Sequence, residues 1–293
     1  MRAGRAELAL IGVTVIWGAT FVVVKSALAD ISTFLFLALR FSLAAIALAL
    51  VYRNRMRWQS VAPGIGAGAL LFVAYVFQTK GLEFTTPSKS AFLTGLSIPM
   101  VPLLSSLVYR NRPRLFEVAG VLIASSGMAV MTLPAGKFEM GNGDLLSCLC
   151  AVAFALHIVV VSHYSPMIGF ETIAVIQVAT AALLGIGTFR FAEPLRFHLN
   201  AAVATSVLVT GLLATALAFT TMAWAQQYTS ATRAALIFAL EPVVAWFTSY
   251  LMTGETMSGR GKVGAGLILA GVLLVELRRG GAETNATRET SNT

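Results

Sequence analysis

Long apolar runs, separated by short polar links rich in arginine, set the pattern of this chain. Helical runs of about 17–23 apolar residues match the hydrocarbon thickness of a bilayer. Such runs fall near 8–28, 33–52, 61–79, 88–109, 115–134, 144–163, 171–190, 202–225, 231–252 and 262–278. A membrane barrel would instead alternate apolar and polar positions along each strand. The pattern predicts an all-α polytopic membrane protein of about ten transmembrane helices, with residues 280–293 as a polar, disordered tail. The first run has no small-residue cleavage site behind it and is read as a retained span.

An internal repeat lies beneath this pattern. Phe84-Thr85-Thr86-Pro87-Ser88-Lys89 resembles Tyr228-Thr229-Ser230-Ala231-Thr232-Arg233, displaced by 144 residues. Gly120 and Gly127 match Gly264 and Gly271 at the same displacement, and Pro99 lies one place off register from Pro242. The expected division is residues 1–137 for helices 1–5 and 138–279 for helices 6–10. Five is odd, so the halves would enter the membrane in opposite senses. Inverted repeats of this kind build transporters that bind solute near the midplane, between the halves. Chance matching of small residues is the alternative.

Composition fits a surface facing lipid. Hydrophobic residues make up 57% and charged residues 12%, where a soluble surface needs roughly twice that charge. The formal net charge of +8 does not point to nucleic acid, because the arginines cluster between apolar runs. Arg2, Arg5, Arg53, Arg55, Arg57, Arg110, Arg112, Arg114, Arg278 and Arg279 fall on one side of an even count of spans. The positive-inside rule then puts both termini in the cytoplasm. Arg190, Arg196, Arg260 and Lys262 fall on the other side and weaken the asymmetry of the second half.

Polar groups inside the runs are the candidate chemistry. Glu241 lies mid-run, immediately before Pro242. A charge there costs roughly 2.5–3.5 kcal/mol on insertion scales, and proline removes a helical hydrogen bond. A helix so built faces protein or a watery cavity. Pro99 and Pro102 should kink the fourth span and, with Pro242, act as helix breaks or gates. The first span carries Trp17-Gly18-Ala19-Thr20-Phe21 and then Lys25, which can snorkel, pair with Asp30 or meet solute. Arg40 is an intramembrane charge with two readings, a functional group or a partner of Asp30 or of free carbonyls. Tyr75 and Gln78 share a helix face. His157 is either a hydrogen-bonded packing residue or a cavity and proton group, and Gln177 is a weaker case of the same kind. In the eighth span Phe219, Met222 and Trp224 do not form one stripe.

Other motifs fail on context. Gly141-Asn142-Gly143-Asp144 matches an aspartyl protease string but lacks a second intramembrane aspartate, and Asp144 suits a helix N-cap. Gly95-Leu96-Ser97-Ile98 misses the final glycine of a serine protease motif. Gly64-Ile65-Gly66-Ala67-Gly68 reads as a packing face, because no Lys-Ser/Thr follows for a phosphate loop. Cys148 and Cys150 have no further ligands nearby, so no metal or cofactor is expected. Asn285-Ala286-Thr287 is a sequon in the expected cytoplasmic tail.

The sequence resembles the drug/metabolite transporter superfamily in its ten-helix EamA-type branch. The resemblance runs through Leu240-Glu241-Pro242, Gly254-Glu255, Gly264 and Gly271, and through Trp17-Gly18 with Phe21 and Lys25. The first half departs from it, with Ser97 opposite Glu241 and Arg110-Asn111-Arg112 opposite Gly254-Glu255. The resemblance implies a non-enzymatic carrier of small metabolites, most often an exporter, using alternating access in a bacterial inner membrane. It implies a central cavity lined by helices 1, 3, 4, 6, 8 and 9, with Trp17, Phe21, Tyr75, Gln78, Phe92, His157, Trp224, Phe238 and Glu241 as the candidate lining. This mix suits aromatic or other neutral amino acids, and within the branch the chain resembles the amino-acid exporter group. A carrier of other solutes, such as organic cations or drugs, with or without proton coupling, is the alternative. Glu241 would be either a proton site or a cap on the broken helix ends. The expected partners are a small-molecule solute and membrane lipid, with no nucleic acid, and a monomer is compatible with the sequence.

Overall fold

A computed structural model describes residues 2–56, 61–110, 112–133, 140–253, 256 and 258–291. Arg57, Asn111, Gly254 and Glu255 lie outside the described residues. The helices are α1 (Arg2–Ala27), α2 (Thr33–Tyr52), α3 (Ala62–Phe84), α4 (Pro87–Gly95), α5 (Ser97–Tyr109), α6 (Leu115–Thr132), α7 (Asn142–Ile168), α8 (Phe170–Thr188), α9 (Ala201–Leu208), a π-helix (Val209–Leu217), α10 (Ala218–Ala225), α11 (Ala231–Phe238), α12 (Glu241–Thr253) and α13 (Gly259–Ser291). The pairs α4–α5 and α11–α12 each make one broken unit. The run α9–π–α10 makes one continuous unit, so the described residues form ten helical units. Among the described residues, eight segments are long and apolar enough to cross a membrane, and Leu115–Met131 is a shorter apolar helix. No strand forms among them beyond the single bridge of Ile31 with Phe197. The last helix continues to Ser291, through residues whose composition predicts no regular structure.

The outward faces carry large apolar side chains such as Leu103, Leu107, Leu115 and Leu183, each at least 70% exposed. That much exposed apolar surface fits contact with lipid rather than water. The link between α7 and α8 is one residue, Gly169, at φ +88°. Only glycine takes that conformation without strain.

Two spans predicted as continuous are each broken in two, and the prolines explain where. A proline ring clashes with the carbonyl four residues earlier and cannot bond to it. Four residues before Pro99 is Gly95, the last residue of α4, and four before Pro242 is Phe238, the last residue of α11. The break in the fourth span therefore precedes Pro99 rather than kinking the helix at it. Pro99 and Pro242 sit in the first turns of α5 and α12, where a missing N–H costs least. Of these three prolines, Pro102 lies inside a helix, within α5. Both broken units also start alike. Thr86 and Ser230, 144 positions apart, cap them by accepting from the backbone N–H groups of Lys89 and Arg233.

The repeat also governs packing. A Cβ placed on Gly120 would lie 2.8 Å from the Gly271 carbonyl oxygen, and one on Gly127 would lie 2.6 Å from that of Gly264. Gly120 meets Gly271 while Gly127 meets Gly264, so α6 and α13 run antiparallel with their backbones in contact. Gly64 and Gly68 similarly admit α8, against Ile176 and the Gln177 carbonyl, whereas Gly66 faces open space. The predicted packing face is thus formed by two of its three glycines.

Two polar clusters tie each repeat to the other. Lys89 of α4 pairs with Asp144 of α7 at 2.6 Å, and Thr85 donates to the same carboxylate at 2.9 Å. Arg233 of α11 pairs with Glu117 of α6 at 2.9 Å and lies 3.8 Å from Glu7 of α1, to which Thr229 donates. Thr85 and Lys89 stand 144 positions before Thr229 and Arg233, and Glu7 stands 137 before Asp144. Asp144 is the third residue of α7 rather than its N-cap. Its carboxylate accepts from the Gly141 N–H at 2.8 Å, the half of a capping box that the third helical residue supplies.

The glycine seam gives a direct stability test. Gly127→Leu forces side-chain atoms into backbone that cannot yield and is expected to cost roughly 1–3 kcal/mol or more. Gly66→Leu, which points into open space, is expected to stay within about 0.5 kcal/mol. Thermal unfolding of the two purified variants, followed by gel filtration in detergent, checks the difference.

Candidate functional site: a cavity at the helix breaks

Both helix breaks open onto one cavity. Gly95, Ser97 and Ile98 come from the first break, and Phe238 and Glu241 from the second. The cavity encloses about 760 Å³ of empty space, counting its open mouth. Its other walls come from α1, α2, α3, α7 and α10. Helix α2, absent from the expected lining, contributes Arg40.

Aromatic rings converge on Phe219. Trp17 packs against it at 5.2 Å between centroids, His157 at 5.6 Å and Tyr75 at 6.1 Å. Trp17 also meets Phe238 at 5.1 Å, and Tyr75 meets Phe154 edge-on at 5.3 Å. Tilted and edge-to-face contacts of this kind are the favourable ones between aromatic rings.

The π-helix positions much of this wall. Its wider turn changes the phase of the eighth span, bringing Phe219 and Met222 to the cavity. The Ala214 carbonyl, inside the π turn, accepts from Trp17 Nε1 at 2.9 Å and from Arg40 Nη2 at 3.5 Å. Arg40 Nε donates to Thr215 Oγ1 at 2.7 Å, and Nη2 donates to the Tyr75 hydroxyl at 3.0 Å. The guanidinium sits 4.2 Å over the Tyr75 ring, a cation–π contact that is strong when desolvated.

The remaining polar groups are fewer. Gln78 donates to Thr94 Oγ1 at 3.4 Å. His157 Nε2 and Gln177 Oε1 share a hydrogen bond of 2.7 Å, while His157 Nδ1 and Gln177 Nε2 are buried without partners among the described residues. Glu241 opens α12, and α1 approaches it closely at Gly18, where a Cβ would lie 2.9 Å from the Glu241 carbonyl oxygen. The tryptophan-glycine pair thus serves two ends, a ring in the cavity wall and a helix contact beside the carboxylate. Among the described residues, the Glu241 carboxylate accepts no hydrogen bond and pairs with no cation, so it caps no broken helix end there.

Of the residues singled out in the sequence, Trp17, Phe21, Tyr75, Gln78, His157, Phe238 and Glu241 come together at this cavity. Phe92 and Trp224 do not line it. Phe92 is buried in the core, and Trp224 stacks edge-on with Tyr228 at 5.6 Å. Lys25 neither snorkels nor pairs with Asp30; its Nζ donates to the carbonyls of Leu82, Glu83 and Thr85, closing the end of α3. Asp30 instead accepts from Asn200 at 2.7 Å. Pro99, Pro102 and Pro242 lie outside the lining; Pro99 and Pro242 shape it through the breaks, whereas Pro102 sits within α5.

Sequence reasoning missed Phe154, Phe219, Met222 and Thr94 as lining residues, and it left Arg40 open. The repeat holds the signal that finds most of them. At 144 positions Tyr75, Gln78, Thr94 and Ser97 correspond to Phe219, Met222, Phe238 and Glu241. At 137 positions Trp17, Thr20 and Phe21 correspond to Phe154, His157 and Ile158. All fourteen line the cavity.

Comparison with known proteins agrees with this architecture. The chain matches the EamA-like transporter family twice, over residues 4–133 and 141–277. An uncharacterized transporter of Archaeoglobus fulgidus is 33% identical over 273 residues, which span 93% of this chain and 86% of the relative. The uncharacterized transporter YoaV of Bacillus subtilis is 26% identical over 285 residues, 92% of this chain and 96% of its own. A protein crystal structure at 24% identity has the same fold, with a TM-score of 0.75 over 94% of this chain and 98% of that one. With two family repeats along its length and a shared cavity at the paired helix breaks, this chain belongs to the EamA-like transporter family and is a multi-pass membrane transporter of small solutes.

Proposed function

We propose that this transporter exports neutral amino acids, aromatic ones foremost, by alternating access through the cavity between its two repeats. The observation that carries the reading is the cavity wall. Rings converging on Phe219 offer hydrophobic contact, and a few polar groups at the helix breaks offer hydrogen bonds. An amphipathic solute of amino-acid size uses both. No catalytic step and no cofactor is needed, and a monomer contains the whole site. The membrane is a bacterial inner membrane, with both termini cytoplasmic by the arginine distribution.

Alternating access draws support from the paired features. The antiparallel seam of α6 and α13 is what an inverted repeat requires. Counting crossings from the N-terminus, the Lys89–Asp144 cluster lies at one end of the bundle and the Arg233–Glu117 cluster at the other. Equivalent polar ties at opposite ends suit a carrier that closes one mouth while opening the other.

Proteoliposomes of the purified protein are expected to take up labelled L-phenylalanine saturably. Phe219→Ala removes the ring on which the others converge and is expected to raise KM by about tenfold, about 1.4 kcal/mol. Trp224→Ala, off the cavity, should leave KM within about twofold. Saturable flux of an organic cation with none for any amino acid would favour the alternative solute class.

Labelling a cysteine in the cavity with a membrane-impermeant thiol reagent tests the two mouths. With Thr20→Cys as the reporter and Cys148 and Cys150 replaced by alanine, Lys89→Gln and Arg233→Gln are expected to raise labelling several-fold from opposite faces of the membrane. A rise from the same face in both variants would contradict alternating access through these clusters.

A further inference from the structure

The two repeats place equivalent positions around the cavity but give them different chemistry. Arg40 of α2 corresponds, 137 positions on, to Gln177 of α8. Glu241 of α12 corresponds, 144 positions back, to Ser97 of α5. The lining therefore carries one arginine and one glutamate, each contributed by a different repeat and each neutral in its counterpart. Among the described residues, no lysine and no other arginine or carboxylate lines it.

These two charges do not neutralise each other. Arg40 and Glu241 form no ion pair within 4.0 Å. Arg40 is held instead by neutral acceptors, the Thr215 and Tyr75 hydroxyls and the Ala214 carbonyl, and is 3% exposed. Those contacts fix the guanidinium plane through Nε and Nη2, and Nη1 has no partner among the described residues. Glu241 has none either. Holding two opposite, uncompensated charges at membrane depth is costly. The arrangement makes sense if a ligand supplies the missing partner to each.

We propose that Arg40 and Glu241 are the two poles of a zwitterion site, Arg40 receiving the carboxylate of an α-amino acid and Glu241 its ammonium group. A guanidinium with a fixed plane matches a carboxylate, and the ring cluster around Phe219 takes the apolar side chain. The same pair excludes singly charged analogues. An organic cation meets the unanswered Arg40, and an organic anion meets the unanswered Glu241. This inference rests on the amino-acid reading of the cavity and adds which groups read the two charges.

Three probes of one shape test it: L-phenylalanine, L-phenylalaninamide, which lacks the carboxylate charge, and 3-phenylpropionate, which lacks the ammonium. Affinity is read from ligand-induced thermal stabilisation of the full-length protein in detergent, independently of flux. Wild type is expected to bind L-phenylalanine at least tenfold more tightly than either analogue. Arg40→Gln should weaken L-phenylalanine at least tenfold and leave the amide within threefold. Glu241→Gln should weaken L-phenylalanine similarly and leave 3-phenylpropionate within threefold. Thr215→Val keeps the charge and frees the guanidinium, so a smaller loss with the same direction is expected even if Arg40→Gln fails to fold. Equal losses for all three probes in each variant, or an amide bound more tightly than the amino acid by wild type, would overturn the zwitterion site and leave amino-acid transport standing. Stabilisation by none of the probes, with no amino-acid flux in liposomes, would overturn the amino-acid reading and this inference with it.

Discussion

A proline has no N–H to donate to the carbonyl four residues behind it, and its ring clashes with that carbonyl; this constraint, applied twice, shapes the molecule. Pro99 and Pro242 end α4 and α11 at Gly95 and Phe238, leaving backbone groups without helical partners in the middle of two spans. Lipid offers such groups nothing, so irregular backbone persists at membrane depth only where protein or a polar cavity surrounds it. The other helices are arranged accordingly. Helix α1 closes on the second break through Gly18, and α3, α7 and α10 complete the wall with rings. The cavity is thus a consequence of where the chain cannot remain helical.

The wall is held by contacts from unlike sources. The Ala214 carbonyl, turned by the π-helix, receives both the Trp17 indole and the Arg40 guanidinium. One backbone oxygen so links α1, α2 and the eighth span. The Tyr75 hydroxyl and ring both engage Arg40, while its edge meets Phe154. Displacing any one of these groups disturbs the orientation of the others, as expected of a buried polar network.

Much of this was legible in the residues. Ten spans follow from apolar run length, and Glu241 beside Pro242 marks a break and a cavity because a buried charge and a missing hydrogen bond need the same remedy. Tyr75 and Gln78 were found by helical spacing. In the eighth span Phe219 and Met222 are three apart in α10 and share a face, while Trp224 lies off it, as helical spacing allows. Spacing alone does not say which of the two faces meets the cavity, and Trp224 is on the other one. Lys25 was misread because its partners, the carbonyls ending α3, are set by packing between distant segments. Phe92 was assigned by residue type alone, and its burial depends on which face of α4 meets the core.

The uneven distribution of charge around the cavity bears on how such a protein can be built at all. Two identical half-length chains assembled about a twofold axis must offer every side chain in duplicate. An arginine at the position of Arg40 would come with a second arginine at that of Gln177, and a glutamate at Glu241 with a second at Ser97. Joining the halves in one polypeptide lifts that restriction. A single chain holding both repeats can therefore place one arginine and one glutamate in the cavity lining without a symmetry-related second copy of either.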